Sequence, residues 1–307
     1  TAMAVYEHGY KPYTGALTPE WSRFLIIPRH AYRDVFRSKF FIAFFALCFI
    51  YPLVAAILIY LHHNVNALAM LKIGDVRELI PINASFFHAF ITTQCSFGFF
   101  LTLLIGPPLV SRDLANNALP LYLSRPFTRK EYVVGKMSVI VIMVSLITWV
   151  PGLLLFLLQA YLEGAGWFGS NLWMAGAIFL SAFVWIVMLA ILSLAVSAWL
   201  KWRVVASGAM LAIFFIPSAF GEIINTLFMT RIGHLISLGA IMNSIWRGLF
   251  GMFQLQTGFM EGTRNGQRIS VTFYEPPLWS SWLALGLFCA ACVLLIIRKV
   301  RAYEVVK

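Results

Sequence analysis

The sequence predicts an all-α polytopic membrane protein with six transmembrane helices, both termini in the cytoplasm and an amphipathic helix ahead of the first span. Three observations predict it. The 307 residues are 61% hydrophobic and 11% charged, whereas soluble domains run at roughly 45–50% apolar and about 25% charged. Six apolar runs reach or approach the ~20 residues that a helix needs to cross ~30 Å of hydrocarbon. The basic residues fall almost entirely on one side of that layout, which sets its direction.

Residues 1–39 form a basic cytoplasmic segment. No cleavable signal peptide is expected, because the first apolar run begins only near Phe40. Within the segment Arg29, Arg33 and Arg37 recur every four residues beside Tyr32, Val35 and Phe36. That pattern is a basic amphipathic helix suited to the membrane interface, where it would also anchor on anionic lipid.

Residues 40–307 form the six-span domain. Its apolar runs are Phe40–Leu61, Ser85–Leu109, Val133–Ala160, Trp173–Leu200, Val204–Phe220 and Trp279–Ile297. Pro52 and Pro151 fall inside two of them and predict kinks, tolerated when neighbours satisfy the freed carbonyl. Lys201-Trp202-Arg203 is a tight basic hairpin between the fourth and fifth runs. Tryptophans 173, 199, 202, 279 and 282 stand at run ends, as interfacial anchors do.

Seventeen of the 23 basic residues lie on the side shared by the termini, the 110–136 stretch and the hairpin. The acidic residues divide evenly, so that side carries the whole formal charge of +11. The positive-inside rule makes it cytoplasmic. The basic balance is therefore topology, and no base-stacking or groove-reading motif points to nucleic acid.

Chemistry is sparse. Cys48, Cys95, Cys289 and Cys292 all lie in apolar runs, and the Cys289/Cys292 spacing lacks the second pair that a zinc site needs. His62-His63 at the outer end of the first span are adjacent, so they diverge on a helix. No GxxxxGK[ST] phosphate loop occurs. The spans hold almost no ionisable groups, which argues against a proton- or sodium-coupled carrier. Glu222 sits ~27 Å along the fifth run, at its outer edge. In the second run Ser85, His88, Thr92 and Ser96 share one helical face and Gln94 lies off it. His88, Thr92, Gln94 and Ser96 are candidates for either helix packing or pathway lining.

The 110–132 loop is the most informative segment. Its six charged side chains exclude it from hydrocarbon. Gly106-Pro107-Pro108 is expected to end the second span, with Ser111 capping a short helix beyond it. Leu114, Ala118, Leu121 and Tyr122 have helical spacing, limited by Pro120. Thr128-Arg129-Lys130-Glu131 has the form of a capping box opening the third span.

Here the chain resembles the permeases of ABC-2 type transporters. That family carries E-R-E-x-G-T-L-E-L-L-L-S-R-P-x-S-R-x-E-Y-x-x-G-K between its second and third spans. Asp113 stands at the first acid, and Leu119, Leu121 and Leu123 keep the apolar spacing. Ser124-Arg125-Pro126, Arg129, Glu131-Tyr132 and Gly135-Lys136 match. Asn117-Ala118 replaces Gly-Thr, and Asn retains access to the left-handed conformation. Pro120 departs from the pattern and shortens the helix.

The resemblance implies a coupling loop that docks on an ABC ATPase subunit through Asp113, Leu114, Asn117, Leu121, Arg125 and Arg129. It makes the Arg29/Arg33/Arg37 helix the elbow helix that precedes the first span. It implies a second permease copy or homologue, no cofactor, no catalytic residue and a place in the bacterial inner membrane. The function expected is that of a permease subunit of an ATP-driven exporter. A membrane anchor or scaffold for another complex, or a membrane-embedded enzyme, is the alternative.

The outer segment 221–278 is long. Ile223–Phe253 reads as short helices in the outer interface rather than a seventh span, because a span there would put Arg298, Lys299 and Arg301 outside. Glu261–Arg268 reads as a polar turn and Arg268–Phe273 as a short strand.

Overall fold

Hydrocarbon offers the backbone no water to bond, so a crossing segment must satisfy its own N–H and C=O groups as a helix. A computed structural model of the chain describes residues 26–64, 81–115, 129–228, 230–253, 258–264, 267–273 and 275–299. It is a helical bundle in which six helical stretches are long and apolar enough to cross a membrane. The chain is a multi-pass membrane protein. Helix α1 (Ile26–Val35) leads in, and the first span is made of α2 (Lys39–Leu47) and α3 (Ile50–His63). Next come α4 (Ala84–Ala115), then α5 (Arg129–Ile147) and α6 (Trp149–Glu163), which together make the third span. Helices α7 (Ala165–Trp199), α8 (Arg203–Phe228) and α10 (Leu278–Lys299) are the last three spans.

Between α8 and α10 the chain makes a 3-10 turn (Ile232–Leu235), helix α9 (Leu238–Leu249) and strands β1 (Gly258–Arg264) and β2 (Gln267–Phe273). The strands pair antiparallel from Gly258↔Phe273 to Arg264↔Gln267. Glu261–Arg264 and Gln267–Arg268 therefore belong to strands, which corrects the expected polar turn at 261–268; residues 265–266 lie outside the described residues. Those residues are Asn265-Gly266, the dipeptide that two-residue hairpins prefer, and this is the signal that marks the hairpin.

Two expected boundaries move. The fourth span begins at Ala165 rather than Trp173, and the fifth runs on to Phe228, taking in Gly221–Phe228. The second helix does not end at Gly106-Pro107-Pro108, and Ser111 caps nothing. Its hydroxyl donates back to the Pro107 carbonyl at 2.6 Å, in the same helix. The helix continues through Pro107, and the Leu103 carbonyl, deprived of its i+4 N–H, accepts from Ser207 Oγ of α8 at 3.2 Å.

Pro217 likewise lies inside α8, whereas Pro52 and Pro151 fall where helices break. Pro52 leaves the Cys48 carbonyl without an N–H, and α2 gives way to α3 there. The Gln94 side-chain amide of α4 fills that carbonyl at 3.1 Å. Pro151 does the same to Ile147, where α5 ends.

The core is centred on α7. Of its apolar stretch 67% is buried by the rest of the chain, against 22% for the first, fifth and sixth spans. Small residues on α7 (Ala177, Ser181, Ala182, Ala190, Ser193, Ala198) let its neighbours approach. A Cβ on Gly106 of α4 would collide with Ser193 Oγ, so these two helices meet at backbone distance. Trp185 and Trp246 donate their indole N–H groups to the Cys95 and Ser181 carbonyls at 2.7 and 3.1 Å.

Candidate functional site

At the end of the bundle where α4, α5 and α8 have their basic ends, the sequence brings three motif residues together. Pro107 fails to stop α4, so Asp113 is carried one more turn past the span, opposite the start of α5. Tyr132 and Lys136 lie one turn apart on α5 and face it. Asp113 Oδ2 accepts from the Tyr132 hydroxyl at 2.7 Å and pairs with Lys136 Nζ at 2.9 Å. The Lys136 ammonium also lies 5.6 Å from the Tyr132 ring centroid.

The Lys136 and Asp113 side chains are only 9% and 14% exposed. Removing one partner of so buried a pair would strand the other charge, at about 3–5 kcal/mol. The three residues tie the end of α4 to the start of α5. Asn117, Leu121, Arg125 and Thr128, the expected cap, lie outside the described residues. Leu114 and Arg129 are helical, in the last turn of α4 and the first of α5.

Helix α1 packs its Ala31, Tyr32 and Val35 face on the core and turns Arg29 and Arg33 outward, while Arg37 lies exposed in the turn that follows it. Burial pushes the Tyr32 phenol above its ordinary pKa. Arg37 is 3.8 Å from Asp34 on the exposed side. Ser38 then caps α2 by accepting from the Phe41 N–H at 3.3 Å.

The polar residues of α4 divide. Gln94 turns inward to the Cys48 carbonyl and is fully buried. Thr92 and Ser96 donate within their own helix, to the His88 and Thr92 carbonyls at 2.9 and 3.0 Å. Ser96 is exposed, and His88 sets its ring edge-to-face on Phe250, 5.7 Å away.

The far end holds a cap that sequence reasoning located without its ion pairs. Leu238, Ile241, Met242, Ile245 and Trp246 of α9 form one buried helical face. Ser237 caps this helix by accepting from the Ala240 N–H at 3.2 Å and also touches Ser218 Oγ of α8 at 2.8 Å. Glu275, 9% exposed, sits between Arg231 and Arg247 at 3.4 and 3.7 Å. His63 contacts Glu163 at 3.1 Å and His234 contacts Glu222 at 3.5 Å. The only hint in sequence was the rarity of charge in so apolar a segment. Among the described residues no group of three or more His, Cys, Asp or Glu side chains gathers as a metal site would require.

The model of a family described as "ABC-2 family transporter protein" matches residues 25–298. No curated protein matches the chain.

Proposed function

Because the chain belongs to the ABC-2 family of transporter proteins, a membrane permease subunit of an ABC transporter that implies an ABC ATPase partner, we propose that it is an exporter subunit. It works in the bacterial inner membrane as a dimer with itself or a homologue. The ATPase docks on the 110–132 loop from the cytoplasm. Nucleotide-driven movement of the ATPase is passed through the loop to the second and third spans.

The observation that carries this reading is the Asp113–Tyr132–Lys136 brace. A loop tethered loosely would absorb displacement, whereas one whose ends are pinned by a buried ion pair moves two spans as a unit. Leu121 would supply burial at the docking contact, on the order of 1.5–3 kcal/mol for one leucine side chain. Leu121→Asp removes that and adds a charge that the contact must desolvate. The variant is expected at normal levels in the membrane, with ATPase co-purification and transport-stimulated ATP hydrolysis lost. Full association and coupling by Leu121→Asp would reduce the loop to a connector.

A further inference from the structure

Between α1 and the basic ends of the spans lies a cavity of about 460 Å³. Its walls are Ala31, Val35, Phe40, Phe41, Leu104 and Leu109, and its ionisable lining is His30, Asp34, Asp113, Lys136 and Arg203. The volume falls in the range that holds small molecules. Three features restrict the occupant.

First, Lys136 is nine-tenths buried, yet among the described residues its ammonium has one acceptor, Asp113. An ammonium carries three donors, so it calls for acceptor oxygens in the cavity it lines. Second, Arg203 adds an exposed cation to the same lining, whereas Lys136 is already balanced by Asp113 and Asp34 lies 3.8 Å from Arg37. With Lys136 and Asp113 paired, the lining offers one further cation, Arg203, and one further carboxylate, Asp34, that can accept from a donor. Third, the apolar wall continues outward. Phe40 is 67% exposed at the start of the first span, on surface that acyl chains cover once the spans cross a bilayer.

We propose that this cavity binds the headgroup of a membrane phospholipid whose head donates hydrogen bonds, such as phosphatidylethanolamine or phosphatidylglycerol. The phosphate oxygens take the free donors of Lys136 and Arg203. The ammonium or glycerol hydroxyls of the head reach Asp34, and the acyl chains leave over Phe40. The lipid wedges α1 against α4 and α5, directly beside the brace, so membrane composition sets how firmly α1 holds the loop. This goes beyond the exporter reading and requires only that the spans cross a bilayer.

The test is thermal unfolding of the purified full-length chain in detergent. Dihexanoyl phosphatidylglycerol, phosphatidylethanolamine, phosphatidylcholine and inorganic phosphate are titrated separately, the lipids below their micellar concentrations. The first two are expected to raise Tm saturably; phosphatidylcholine, whose head has no donor, and inorganic phosphate are expected to leave it unchanged. Arg203→Gln, at an exposed position, should weaken the apparent Kd by about tenfold, the range of one charge-assisted hydrogen bond. Ala31→Phe, which fills the cavity from α1, should abolish the shift. An equal shift with phosphatidylcholine would overturn the requirement for a donating head, and one with inorganic phosphate would reduce the cavity to a free-anion site. An unchanged Kd in Arg203→Gln would remove the phosphate assignment. Absence of any lipid shift, with the cavity protected only when an ATPase is bound, would give it to the partner protein.

Discussion

Lys136 shows how much a single side chain carries in this fold. It is charged, nine-tenths buried and held by one carboxylate, at the root of the segment proposed to receive the ATPase. Lys136→Met should destabilise the chain by about 3–5 kcal/mol, because Asp113 is left as an uncompensated buried charge. Combining it with Asp113→Asn should recover most of that loss, since both charges are then gone. Tyr132→Phe removes one hydrogen bond to the same oxygen and should cost less, on the order of 1.5–3 kcal/mol for a bond to a charged group. Denaturant unfolding of the three variants in detergent measures the coupling. Equal losses in the single and double charge variants would mean that the pair contributes packing and not charge compensation.

Among the elements, the first span is decided by a proline and a glutamine from different helices. Pro52 withholds the N–H that the Cys48 carbonyl needs, and Gln94 supplies one from α4 at 3.1 Å. Gln94→Leu should therefore cost about 1–3 kcal/mol, the penalty for a buried acceptor left without a partner. In a Pro52→Ala background the backbone can bond Cys48 itself, and Gln94→Leu should then cost little. Additive losses across that cycle would show that Gln94 serves something other than the kink. The outer cap has a comparable dependence on Gly221, where a Cβ would run into the Gly233 carbonyl. Gly221→Ala should displace the 3-10 turn and α9 from α8, seen as faster proteolysis of the 230–253 region with the six spans still inserted.

The whole molecule is polarised in its charges. The end that gathers Asp113, Lys136 and Arg203 is also where Lys299 lies 5.3 Å from the Trp199 ring, so the basic ends of four spans share one side. Single cysteines in Asn116–Ser124 should resist an impermeant thiol reagent applied to intact cells, and ones in Glu261–Gln267 should label. The reverse pattern would invert the proposed orientation and take the 110–132 loop away from the ATPase proposed to dock on it. Energy supply belongs to the same scale. The spans carry few ionisable groups, so the chain reconstituted alone should move no substrate under a proton or sodium gradient. Gradient-driven uptake by this subunit without an ATPase would overturn ATP-driven transport.

Apolar length and charge bias were enough to determine the helical class, the six spans and their common basic side, because a bilayer forces a long apolar run into a helix whatever its neighbours are. The family likeness was legible for a similar reason, as it rests on a local motif from Asp113 to Lys136. Sequence could not say which proline breaks a helix or what fills the freed carbonyl: Ser207 reaches Leu103 and α4 continues, whereas Gln94 reaches Cys48 and the break remains. It separated neither Gln94 from Thr92 and Ser96 as a buried tie nor Asp113 from the rest of the loop as a brace, since both depend on residues 46 and 23 positions away. The hairpin was half legible, with Asn265-Gly266 marking its turn and the β1 strand hidden among glycines and charges. Local patterning fixes what each segment must be, whereas the partner of each polar group is chosen only when the helices pack.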